Sequence, residues 1–170
     1  MSGGFVVQPL HDRHRIDTFN CGRAELTSWL LEHARHATRQ GTRTYVLVGS
    51  GAVEVCGYFA VAPHVVQKDE LPRRIGRGAP RRVPAVLLAK LALDVRAQGR
   101  GLGRELLIRA LDTIVASARV AGGKLVVVDA VDRDAARFSE HHDFQPIPGN
   151  PHRLVLKLST VADALGVEWP

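Results

Sequence analysis

The feature that most constrains this chain is a glycine-rich turn set between an apolar run and a long amphipathic segment. Residues 84–95 are mostly apolar, interrupted by Lys90 and closed by Asp94. They read as a strand buried on both faces. Gln98-Gly99-Arg100-Gly101-Leu102-Gly103 follows. Then Leu102, Leu106, Leu107, Ala110, Leu111, Ile114, Val115 and Ala118 recur at helical spacing, until Gly122-Gly123 stops the pattern. Glycines let a backbone approach a ligand closely. The first turn of a helix presents unpaired N–H groups and the positive end of its dipole. Strand, turn and helix in this order make an anion site suited to phosphate, and Arg100 and Arg104 add positive charge.

Around this unit the chain alternates strand-like and helix-like stretches. Residues 5–10 read as a short strand ended by Pro9, and residues 11–21 carry no clear pattern. A helix starts at Arg23, with Leu26, Trp29, Leu30, Ala34 and Ala37 on one face, and ends at Gly41. Residues 42–48 and 53–61 are β-rich around Gly49-Ser50-Gly51 and predict an antiparallel hairpin. Residues 125–128 predict another buried strand. Asp132 can cap a short helix running to about His142, and residues 144–147 and 153–158 predict two final strands. This predicts one α/β domain over residues 1–160 and a tail, 161–170, patterned only at Val161, Leu165 and Trp169.

Residues 65–83 break the alternation. Arg73, Arg74, Arg77, Arg81 and Arg82 lie among Pro72, Gly76, Gly78 and Pro80, with no acid between Leu71 and Val83. The stretch reads as a long, mobile, basic loop, either a solvated insertion or a contact for phosphates, which arginine grips with two donors. The whole chain is basic, with net charge +6 and a pI near 10.0. That fits nucleic acid, phosphorylated cofactors or acidic proteins without choosing among them. No apolar run approaches the roughly 20 residues of a membrane helix, and residues 1–10 do not resemble a secretory leader. Cys21 and Cys56 lack metal or redox spacing and read as reduced structural thiols. His141-His142 beside Glu140 and Asp143 reads as a solvated helix end, and His11, His14, His33 and His36 as surface residues. Trp29 reads as a core aromatic, and no metal site is expected.

Three phosphate-binding patterns compete for the turn. A Walker loop needs a Lys followed by Ser or Thr, which is missing. A dinucleotide GxGxxG counted from Gly99 or Gly101 puts its third glycine on Arg104 or Leu106. Gln98-x-x-Gly101-x-Gly103 instead resembles the Q/R-x-x-G-x-G/A turn of the GNAT N-acetyltransferases. More of the chain resembles the TacT-like toxin branch of that superfamily. The matching residues are Phe19-Asn20-Cys21-Gly22, Leu26-Thr27-Ser28-Trp29-Leu30, Thr42-Arg43-Thr44-Tyr45-Val46, Gly57-Tyr58-Phe59, Val83-Pro84 and Leu88-Ala89-Lys90-Leu91-Ala92-Leu93-Asp94, then Val128-Asp129-Ala130 and Ala136-Arg137-Phe138.

The resemblance implies a GNAT fold, a central mixed, splayed β-sheet with helices on both faces that opens near Leu93 and Leu125. It implies acetyl transfer from acetyl-CoA to the α-amino group of aminoacyl-tRNA, which blocks translation. Acetyl-CoA would contact Leu91, Leu93, Val95, Gln98, Gly99, Arg100, Gly101, Leu102, Gly103, Arg104, Asp132 and Phe138. Arg73, Arg74, Arg77, Arg81, Arg82 and Lys90 would face tRNA. A ribbon-helix-helix antitoxin, a homodimer and a cytoplasmic setting are also implied. Two departures stand out: Ser139 occupies the place of the family's tyrosine, which is thought to protonate the leaving thiolate, and Asp143-Phe144 stands where the family has Gly-Phe. Lys90 also replaces a frequent arginine. Ser139 or Tyr58 is therefore the candidate acid. The alternatives are a GNAT enzyme acting on a small or protein amine, and a catalytically weakened module that binds CoA or antitoxin.

Overall fold

The computed structural model describes residues 4–170. Seven strands form one mixed sheet in the order β1-β2-β3-β4-β5-β7-β6. They are β1 (Phe5–Pro9), β2 (Arg43–Gly49), β3 (Val55–Gln67), β4 (Arg82–Leu93), β5 (Leu125–Asp129), β6 (Gln145–Ile147) and β7 (Asn150–Lys157). With its helices, this is the expected α/β architecture. β4 and β5 pair in parallel, over Ala85–Leu88 and Leu125–Val128. The sheet is therefore closed at Leu125, where an opening was expected. The last pair is Leu88 with Val128, and β4 runs on to Leu93 without a partner on β5.

The chain forms two compact units. The first holds the described residues up to Val61 together with Lys90–Ala110. Here β1 is an edge strand paired with β2, which is why Pro9, with no N–H to donate, can sit inside it. Helix α1 is built of Ala24–Ser28, a π-helical turn Trp29–His33 and Ala34–Arg39. Leu26, Leu30 and Ala34 are its buried positions. Trp29 is only half-buried; it stacks on Tyr58 at 5.9 Å, and Phe19 meets the same ring edge-on at 5.5 Å. His14 is buried, not a surface residue, and bonds Gln8 through Nε2 at 2.8 Å. Burial and the neighbouring Arg13 lower its pKa.

The second unit holds residues 62–89 and 111–170. The basic stretch differs most from the expectation of a mobile loop. β3 continues through Gln67, a 3₁₀ turn covers Lys68–Glu70, and one-turn helix α2 spans Arg73–Gly76. Leu71 and Ile75 are buried in a core with Val66, Val83, Leu125, Val127 and Val155. The Lys68 N–H donates to the Arg81 carbonyl at 2.9 Å and closes the base. Two apolar anchors four residues apart hold the segment down, each of a size worth about 1.5–3 kcal/mol when fully buried, while the arginines stay exposed.

Helix α3 (Leu102–Ala121) runs through both units and buries Leu106, Leu107, Ala110, Ile114, Val115 and Ala118, as its spacing predicts. α4 (Arg133–His141) is capped by Asp132, whose carboxylate accepts the Ala135 N–H at 2.9 Å. α5 (Leu158–Leu165) buries Val161 and Ala162 and ends at Gly166 in the left-handed region, giving helical structure to the first half of the weakly patterned tail.

Candidate active site

The turn after β4 is the most completely built site. After Asp94, a 3₁₀ turn at Val95–Ala97 leads to Gly99 and Gly101, with φ of 79° and 75°. Both values favour glycine, and a Cβ at either position would project into open space. Among the described residues, no protein acceptor bonds the N–H groups of residues 99–104, whereas the flanking N–H groups of Gln98 and Glu105 are satisfied. Such donors at the start of a 20-residue helix form a strong anion site. The donors and the open space over the two glycines fit the pyrophosphate of a CoA-type substrate. Arg104 is exposed, while Arg100 bonds the Arg96 carbonyl.

The Gln98 side chain turns inward. Its amide donates to the carbonyls of Cys21 at 3.0 Å and Leu93 at 2.9 Å, so it braces the turn. The brace extends to residues that were not among the expected site residues. Asp94 has no exposed surface. Its carboxylate accepts from the Asn20 N–H at 3.0 Å and from the Arg96 N–H, Nε and Nη2 at 2.9, 2.8 and 3.0 Å. The Arg96 guanidinium is the chief cause that holds the Asp94 carboxyl down at about 2. The Val95 N–H returns a bond to the Asn20 carbonyl at 2.8 Å, and the Gly22 N–H bonds Asn20 Oδ1 at 2.9 Å. The Phe19-Asn20-Cys21-Gly22 motif thus clamps the start of the turn. Leu93 packs between Gly57 and Gly103; a Cβ on Gly57 would meet its Cδ2 at 3.0 Å. Leu91 and Leu93 are half-buried and Val95 is exposed.

Tyr58 and Lys90 lie in the same unit. Tyr58 is fully buried, and its hydroxyl donates to the Leu26 carbonyl at 2.6 Å. Burial pushes its pKa up, so the phenol stays neutral with its proton committed to the main chain. That placement argues against Tyr58 as an acid. Lys90 sets its Nζ 5.6 Å from the Trp29 ring centroid, a cation–π contact.

The other expected residues belong to the second unit. Ser139 is buried in α4, and its hydroxyl donates to the Ala135 carbonyl at 3.2 Å. Phe138 packs edge-on against His142 at 4.7 Å. Asp132 serves as the α4 cap. Asp143, just past α4, is the one non-glycine residue with positive φ among the described residues, at 73°, where the family pattern has glycine. Arg73, Arg74, Arg77, Arg81 and Arg82 are all exposed on the anchored basic segment. Asp129 receives a two-pronged bond from Arg153 at 2.7 Å through Nε and Nη2, and Arg153 Nη1 lies 3.3 Å from His64 Nε2. Burial, then Arg153, lowers the His64 pKa. No group of three or more metal-ligating side chains occurs among the described residues.

No family model matches the chain. A tRNA-acetylating toxin of Mycobacterium tuberculosis is 32% identical over 167 residues, spanning 98% of this chain and 99% of the relative. AtaT complexed with acetyl-methionyl-tRNAfMet has a TM-score of 0.85 at 23% identity, covering 95% of this chain and 99% of that one. A point mutant of AtaT bound to the C-terminus of the antitoxin AtaR and to acetyl-CoA has a TM-score of 0.80 at 23% identity, covering 95% and 98%. These structural likenesses show the fold.

Proposed function

The chain belongs to the tRNA-acetylating toxins, the TacT-like branch of the GNAT acetyltransferases, and we infer from that membership and the built turn that it acetylates aminoacyl-tRNA. The observation that carries this reading is the row of unbonded N–H groups over residues 99–104. They would hold the pyrophosphate of acetyl-CoA, with Gln98, Asp94 and Asn20 keeping the turn in place. β4 beyond Leu88, with no β5 partner, supplies further main-chain donors for the thioester oxygen.

The acceptor is the α-amine of the aminoacyl group. Its reference pKa of about 7.7–8.0 leaves an appreciable neutral fraction near pH 7. The amine nitrogen forms a bond to the acetyl carbon, the carbon–sulfur bond breaks, the ammonium proton passes to solvent, and the thiolate takes a proton from water. A strong side-chain base or acid is not required. Rate comes from holding the two reactants together. Arg73, Arg74, Arg77, Arg81 and Arg82, exposed on a segment anchored by Leu71 and Ile75, would contact tRNA phosphates. Lys90 would support the acceptor end from its perch on Trp29.

Family membership also supports a ribbon-helix-helix antitoxin partner, a homodimer and a cytoplasmic setting. No helix among the described residues is long and apolar enough to cross a membrane. The test is acetyl transfer from labelled acetyl-CoA to charged tRNA, compared with free amino acids and lysine peptides. Transfer to charged tRNA alone, with affinity falling steeply as salt rises, is the expected result. Equal or faster transfer to a lysine peptide would replace this reading with a protein-amine acceptor.

A further inference from the structure

The C-terminal end of α3 carries a second basic concavity, within the second unit. Arg77 from the segment after α2, Arg119 and Lys124 around the helix end, Lys157 from β7, and Trp169 near the chain end line a groove of about 660 Å³. No Asp or Glu lines it. Among the described residues, none of these four cations makes a side-chain hydrogen bond or ion pair. The helix dipole accounts for Arg119 and Lys124, because cations are favoured near a helix C-terminus. It does not account for Arg77 and Lys157, which come from other elements and add like charge to the same hollow.

The lining is also partly apolar. Val120 is 90% exposed at the helix end, the most exposed large hydrophobic residue among the described residues. Trp169 is half-buried on the opposite stretch of lining. A phosphate backbone would satisfy the cations but leave Val120 in water. A peptide bearing both carboxylates and apolar side chains would satisfy both.

We propose that this groove docks an acidic, amphipathic peptide segment of a partner protein, its carboxylates on Arg77, Arg119, Lys124 and Lys157 and its apolar side chains against Val120 and Trp169. Taking that partner to be the antitoxin rests on the toxin reading; the groove's chemistry does not. Unmatched charge of one sign would steer such a segment and speed its docking.

The probe is a fluorescein-labelled synthetic peptide of 16 residues that alternates Glu or Asp with Leu or Val. Its binding is read by fluorescence anisotropy on the full chain. The intact protein should bind it, and the Lys124→Glu/Lys157→Glu pair should bind at least tenfold more weakly. Val120→Ser should weaken binding about threefold, and Arg81→Glu/Arg82→Glu should leave it within twofold. Acetyl-CoA affinity, unchanged in every variant, reports that each is folded. Should Lys124→Glu/Lys157→Glu bind the peptide as the intact protein does, or should that pair lose binding of a 12-base-pair RNA duplex that Arg81→Glu/Arg82→Glu retains, the proposal is overturned. Failure of acetyl transfer to charged tRNA would overturn the functional reading while leaving peptide binding intact, so the two fail separately.

Discussion

In the turn after β4, the N–H groups of residues 99–104 have no acceptor in the protein, whereas the hydroxyls of Ser139 and Tyr58 each donate to a main-chain carbonyl. The first region keeps its donors available for a ligand and braces the backbone from behind. The groups that look most like proton donors in sequence, Ser139 in the second unit and Tyr58 in the first, are instead tied to Ala135 and Leu26. The difference is what the proposed mechanism rests on: main-chain N–H groups stay open to a ligand, while the two candidate hydroxyls are already engaged.

The strongest way to break that comparison is to spoil the turn. Gly101 has φ of 75°, and its Cβ direction points into open space where a ligand would lie. Gly101→Glu should weaken acetyl-CoA binding by about 100-fold or more, through backbone strain, lost approach and added negative charge. Titration calorimetry checks this, and affinity equal to that of the intact protein would remove the basis of the site.

A smaller effect is expected from loosening the brace. Asp94→Asn keeps the shape but weakens the charged bonds from Arg96 and the Asn20 N–H. Stability should drop by about 1.5–3 kcal/mol, the range for hydrogen bonds to a charged group. Acetyl-CoA affinity should fall about three- to tenfold. The pH dependence has a definite sign. The folded pKa of Asp94, about 2, lies below the unfolded value of about 3.9. Its contribution is therefore present above about pH 4 and lost as pH falls toward 2. Urea melts between pH 2 and 5 should show a shallower acid loss in Asp94→Asn. An unchanged slope would mean that Asp94 is not the linked group.

The brace also shows what sequence could and could not reveal. The turn and α3 were legible because glycine spacing and a 3.6-residue period are local patterns. Asp94 and Asn20 bond across 74 positions, and nothing near either residue announces the other. Phe19-Asn20-Cys21-Gly22 was recognisable only as a family resemblance, with no mechanical role attached. The basic stretch has the composition of a loop, yet it is ordered. Its order comes from Leu71 and Ile75 meeting β5 and β7, strands more than forty residues further on. The position of Ser139 on a helix was legible, but not that its hydroxyl turns back to Ala135.

The smallest expected effect concerns Asp143, which holds a left-handed conformation natural to glycine just past α4. Aspartate tolerates this region better than most residues but still bears some strain. Asp143→Gly should stabilise the fold by about 0.5 kcal/mol, after the added freedom of the unfolded chain is set against the relieved strain. A thermal melt reads the shift. A drop of 1 kcal/mol or more would show that the Asp143 side chain makes a contact that matters.

The most direct test of the central claim is single-turnover acetyl transfer to charged tRNA by Ser139→Ala at saturating acetyl-CoA. If main-chain placement drives the reaction, the rate should fall by no more than about tenfold, or about 1.4 kcal/mol of barrier, with acetyl-CoA affinity unchanged. A loss of about 10²–10⁴-fold at unchanged affinity, the range for a positioned acid or base, would make Ser139 the proton donor and contradict the account.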